Sequence, residues 1–140
     1  MEDDLFRAIA DHLRYFGYEV KLEDGILKTL QMPPGQPHVW VLPINKGATF
    51  RSLFKIGPAA KEDVGGFCRF LNQANQSAVL SRFVVSEDYM SVEAWFPPAY
   101  NREAFALFFN RYCADIAAPA ARDQQTVLRF FPLESPPTTS

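Results

Sequence analysis

The sequence predicts an α+β domain: a largely antiparallel sheet with three helices, in the order α-β-β-β-β-α-β-β-α. Three observations carry this expectation. Apolar residues recur at helical spacing in three separate stretches. Between them lie runs of period two, joined by short turn signals such as Asp24-Gly25. Prolines fall at the joints, at Pro33-Pro34, Pro58 and Pro97-Pro98.

The first helix is expected over Asp3 to Phe16, where Leu5, Ile9, Leu13 and Phe16 form a stripe. Glu2, Asp3 and Asp4 place negative charge at its start, where the dipole favours it. Gly17 is suited to terminate it in the left-handed region. Tyr18, Val20 and Leu22 then alternate with charged residues as a half-buried strand. Ile26 to Met32 returns as its partner across Asp24-Gly25.

His38 to Ile44 is apolar on both faces, the pattern of a strand covered on both sides. Pro43 restricts it to an edge or a bulge. Asn45 to Gly47 reads as a turn and Thr49 to Ile56 as the fourth strand, with Phe50 and Phe54 on one face.

Pro58 opens the second helix, with Val64, Phe67, Cys68, Leu71 and Asn75 on one stripe. Gly65 and Gly66 are costly inside a helix. Either they let a strand or another helix approach closely, or the helix starts later than Pro58 suggests. Val79 to Ser86 and Tyr89 to Phe96 form a hairpin about Glu87-Asp88. Asn101 caps the third helix, on which Phe105, Phe108, Phe109, Tyr112 and Ile116 share a face. Pro119 argues against continuing that helix, although Val127, Leu128, Phe130 and Phe131 are apolar enough to pack. Residues 1–133 are expected to form one domain, and 134–140 a disordered Pro, Ser and Thr-rich tail.

Leu71-Asn72 and Asn75 at the end of the middle helix, the paired strands Phe83 to Phe96, Pro98 and the aromatic helix Phe105 to Tyr112 resemble the YbjN-like family. They also resemble the type III secretion chaperone-like fold that this family shares. The topology matches over about residues 3–117, and the motifs over about 71–116. The resemblance implies a small, acidic, cytosolic protein, often a homodimer. Secretion chaperones of this fold hold an extended client segment on hydrophobic patches and sheet edges. YbjN-like proteins have suggested roles in regulation and stress response. The Pro-rich tail departs from the chaperone pattern and puts a dedicated secretion client in doubt.

Composition bounds the function classes. The chain has 140 residues, 13 of them Phe, and a formal charge of -2. A chain of this length buries enough surface that folding is expected to need no metal or disulfide, and the Phe residues supply a large core. Lys and Arg are scattered, so no basic face is expected to bind nucleic acid. The acidic start does not resemble a signal peptide, and no apolar run reaches bilayer length, so a cytoplasmic protein is expected. Cys68 and Cys113 read as reduced core thiols.

Residues for catalysis or cofactors are hard to find. His12, on the polar edge of its helix, and His38 have no acidic or thiol partner at metal-ligand spacing. There is no GxSxG, GxGxxG or GxxxxGK[ST]. Glu87 and Asp88 read as turn residues, and Asn72 and Asn75 as helix-end residues that satisfy orphan carbonyls. No enzyme, cofactor or metal is therefore expected. Trp40 and Trp95 are the strongest binding candidates, because each lies in a strand apolar on both faces and only one face can meet the helices. Leu42 and Phe54 follow with less weight. The alternative for these residues is ordinary core. The function expected is a non-enzymatic protein-binding module or regulatory adaptor. The other reading is a small-molecule sensor or enzyme with an enclosed pocket.

Overall fold

The computed structural model describes residues 2–132, with side chains from residue 4 onward. The side chains of Glu2 and Asp3, residue 133 and the expected tail 134–140 lie outside the described residues. The elements are α1 (Glu2–Tyr15), β1 (Glu19–Glu23), β2 (Ile26–Gln31), β3 (Trp40–Ile44), β4 (Gly47–Lys55), α2 (Pro58–Glu62), α3 (Val64–Ser77), β5 (Arg82–Ser86), β6 (Tyr89–Phe96), α4 (Arg102–Arg122) and α5 (Gln124–Phe130). The six strands form one antiparallel sheet in the order β1-β2-β3-β4-β6-β5. The α+β class holds, with five helices rather than three.

Local chemistry explains most boundaries. Gly17, at φ 100, ends α1 as expected, and the Tyr18 N–H closes on the Leu13 carbonyl at 3.0 Å. Asp24 and Gly25 at φ 54 and 76, and Asn45 and Lys46 at φ 52 and 65, make the positive-φ turns that match strand twist. The second of these is tighter than expected, so Gly47 already belongs to β4. Pro43 pairs with Ala48 of β4 at a position where its missing N–H points away from that strand. β2 pairs with β3 only at Trp40 and Val41, so no ladder bond is lost there.

Two expectations about helices need correction. The helix beginning at Pro58 breaks at Asp63, whose carboxylate accepts from the Gly66 N–H at 2.9 Å and starts α3. Gly65 and Gly66 thus fall in the first turn of a helix that starts later than Pro58, and what a Cβ on Gly66 would strike is the Asp63 carboxylate rather than a strand or another helix. The buried stripe of α3 is Phe67, Phe70 and Ala74, while Val64 and Cys68 are exposed. α4 also runs straight through Pro119. An internal proline costs about 3 kcal/mol. Here the ring is buried and lines the same small cavity as Phe70, so burial recovers part of that cost. The chain then turns at Asp123 into α5, which buries Phe130 and half-buries Val127 and Phe131 but leaves Leu128 exposed.

The core lies between the helices and one face of the sheet. Phe50 on β4 meets Phe105, Phe108, Phe109 and Tyr112 of α4 with ring centroids 5.1 to 6.0 Å apart. Phe67 and Phe70 of α3 pack against Phe130 and Phe131. No helix among the described residues is long and apolar enough to cross a membrane.

Candidate functional site

Because β-strand side chains alternate, the face that carries Val41, Phe50 and Val92 into the core leaves a second face with Trp40, Leu42, Arg51, Glu93 and Trp95. No helix among the described residues covers it, so β3 is not covered on both sides as its composition suggests. Trp40 is 39% exposed, Tyr89 46% and Trp95 47%, while Leu42 is half-buried. Large aromatic area left in water on one face is uncommon unless something binds there.

Each tryptophan is held. The Lys28 ammonium sits 5.5 Å from the Trp40 ring. The Trp95 indole lies over Gly47, where an added Cβ would come within 2.6 Å of Nε1, and donates from Nε1 to the Ile44 carbonyl at 2.9 Å. The Trp95 ring is therefore preset rather than free to swing, which lowers the entropy lost on binding.

Glu93 is the centre of this face. Its side chain is 13% exposed and receives the Arg51 guanidinium at 2.9 Å, that of Arg82 at 3.2 Å and the Ser91 hydroxyl at 2.8 Å. Burial alone would push its carboxyl up, but the hydroxyl and the two guanidiniums together hold it below the usual range. Shallow depressions flank the cluster, one lined by Leu53, Val84 and Tyr89 and the other by Thr49, Leu80 and Trp95. The face thus offers a charged anchor between two aromatic-walled hollows.

The sheet edges differ. Arg82, Val84 and Ser86 bond inward to β6, so Phe83 and Val85 point their backbone groups outward. Asn75 of α3 occupies Phe83 on both sides, donating from Nδ2 to its carbonyl at 3.1 Å and accepting its N–H at Oδ1 at 2.7 Å. Asn75 therefore closes an edge strand and does not terminate a helix. Neither it nor Asn72 adopts positive φ. At the opposite edge, by the same alternation, Val20 and Leu22 of β1 point outward.

Trp40, Leu42 and Trp95 share the uncovered face; Phe54 does not. It points to the helix side and lines a small apolar cavity of about 80 Å³ with Phe70, Phe83 and Met90. Period two separates Phe54 from its neighbours Leu53 and Lys55, so its exclusion follows from its partners on β6. His12 is buried rather than at a polar edge, with Nδ1 2.7 Å from the Tyr100 hydroxyl and its ring against Phe16 and Phe105. Burial and the Arg102 charge push its pKa down. His38 accepts the Leu53 N–H at Nε2, and burial lowers its pKa as well. Glu87 does form the turn, at φ 51, and Asp88 pairs with Lys61 at 2.9 Å. Among the described residues no three His, Cys, Asp or Glu side chains stand together as a metal-ligand set.

Sequence reasoning missed Glu93, whose partners lie on three strands, and it missed Tyr89. It also missed Asp115, buried on α4, which accepts N–H bonds from Val79, Leu80 and Ser81 at 3.0 to 3.1 Å and positions the turn into β5.

No protein-family model matches the chain, and no curated protein does. Among solved structures it is similar to YbjN from E. coli, a protein proposed to be a transcription regulator. The TM-score is 0.62 at 16% identity, over 85% of this chain and 93% of that one. The chain has a YbjN-like fold. At that identity the likeness concerns the arrangement of strands and helices alone.

Proposed function

We propose that this YbjN-like chain is a non-enzymatic protein-binding module, serving as a regulatory or stress-related adaptor. Its uncovered sheet face takes a segment of a protein partner. The observation that carries the reading is the pair of half-exposed tryptophans, Trp40 and the hydrogen-bonded Trp95, on a face that no helix among the described residues covers. Tyr89 and Trp95 wall the two hollows, and Arg51 and Arg82 flank Glu93 between them. Apolar side chains of the partner fill the hollows, and its polar groups meet the rim of the charge cluster. Recognition runs across the face rather than by strand addition at β5, because Asn75 holds Phe83 there.

The test is intact-complex mass spectrometry after native purification of the parent, Trp40→Ala and Trp95→Ala. Circular dichroism establishes that each variant is folded. A stoichiometric partner, or a second copy of the chain, that is bound by the parent and lost from both folded variants supports the reading. Equal binding by all three proteins overturns it.

A further inference from the structure

On the helical side of the molecule, α3 and the α4–α5 corner leave a polar cleft of about 540 Å³. Arg69 and Ser77 come from α3, and Arg122 and Arg129 from the other wall, over a floor that includes Phe70 and Phe130. The cleft is tied at both ends. Arg129 meets Asp63 at 3.0 Å beside the start of α3, and Arg122 meets the Ser77 hydroxyl at its end.

Its charges are unevenly matched. Both carboxylates in the cleft are committed to helix starts. Asp63 accepts the Gly66 N–H and pairs with Arg129, and both contacts hold its carboxyl below the usual range. Asp123 accepts the Thr126 N–H at 3.1 Å and its hydroxyl at 2.6 Å. Arg122 meets a hydroxyl and no carboxylate, and Arg69 has no ion-pair partner among the described residues. Two guanidiniums therefore border one cleft with no ion pair of their own among the described residues, although the Arg69 charge also acts on Asp63 from a distance.

We propose that this cleft binds a small organic anion. Arg69 and Arg122 hold its phosphate or carboxylate groups, and the rest of it lies over Phe70 and Phe130. Guanidinium forks match either group with paired hydrogen bonds. The volume falls within the range of about 300–1,000 Å³ usual for small-ligand sites. The ties at both ends favour a compact ligand over an extended chain, which would have to cross them.

Calorimetric titration of the full chain with inorganic pyrophosphate and, separately, with citrate tests this. The variants are Arg69→Ala, Arg122→Ala and, on a distant turn, Lys46→Ala. Saturable binding of one anion per chain is expected, weakened about tenfold by either arginine change and unaffected by Lys46→Ala. Preference for pyrophosphate assigns a phosphate ligand, and preference for citrate a carboxylate. If Arg122→Ala loosens the helices, Arg69→Ala still decides, because Arg69 ties no element to another. No saturable binding of either anion at millimolar concentration, or equal weakening by Lys46→Ala, overturns the proposal.

Discussion

The Asn75 side chain makes with Phe83 the two hydrogen bonds that a neighbouring strand would make, at 3.1 and 2.7 Å. An amide carries one acceptor and one donor group at nearly the spacing of a backbone unit, so it can cap a strand edge. Asn75→Ala leaves both Phe83 groups open. It is expected to lower stability by about 1–2 kcal/mol in urea melts. It is also expected to promote edge-to-edge association in light scattering. Unchanged association would mean that the remaining edge at Val85 is too short to recruit a strand.

Gly47 is flat so that Trp95 can lie on it. A Cβ there meets the Phe96 carbonyl and comes within 2.6 Å of the indole nitrogen. Gly47→Ala is expected to cost about 1–3 kcal/mol and to break the Trp95 bond to Ile44. A lower melting point together with a changed near-ultraviolet dichroism signal would report both.

Asp115 is buried with three backbone N–H groups on its carboxylate and Arg111 at 3.5 Å. Burial pushes its carboxyl up, but the N–H groups outweigh that and hold it below its ordinary 3.8. The folded chain therefore binds the proton less readily than the unfolded one. The stabilisation is complete above the ordinary value and is lost as pH falls through the folded value. Asp115→Asn is expected to lower stability at neutral pH by about 1–3 kcal/mol, with a shallower loss in acid. Urea melts across the acid range measure both.

His12 acts in a higher pH window with the same sign. Its folded pKa lies below 6.5, so protons bind the unfolded chain first and stability falls as pH drops below that value. His12→Phe keeps an aromatic ring against Phe16 and Phe105 and removes the titrating group. It is expected to flatten the decline between about pH 7 and pH 5; the part that remains belongs to His38, whose pKa is lowered too.

The two thiols should differ in reactivity. Cys68 is exposed, whereas burial pushes the half-buried Cys113 thiol up to about 12. A disulfide reagent is expected to titrate one thiol quickly in the native chain and the second only on unfolding. Two fast thiols would contradict the burial of Cys113.

How much of this was legible in the sequence depended on the range of the interaction. The hairpin turns at Asp24-Gly25 and Asn45 to Gly47, the Gly17 terminator, the Asn101 cap and the aromatic stripe of α4 each depend on residues a few positions apart. Trp40, Leu42 and Trp95 were picked out because alternation leaves each strand two faces, but alternation does not say which face meets the helices. Phe54 reads as their companion for that reason yet lies on the helix side, and Cys68 is exposed because the buried stripe of α3 runs through Phe67, Phe70 and Ala74. The local cost of Pro119 predicts a break, whereas the helix continues through it with the ring buried in the cavity that Phe70 also lines.

The sequence by itself determined the α+β class and the succession of strands and helices along the chain, because period and turn chemistry are local properties; the order of the strands within the sheet came from the tertiary structure. Only the tertiary structure decided that Glu93 gathers Arg51 and Arg82, that Asn75 closes the β5 edge, that Asp115 holds the turn before β5, and that Arg69 and Arg122 border one cleft. Most of those contacts join residues far apart in sequence, and hydrogen bonds and charges take partners by position in space. A residue's type says what it can bind, and the packing of the sheet against its helices says what comes within reach.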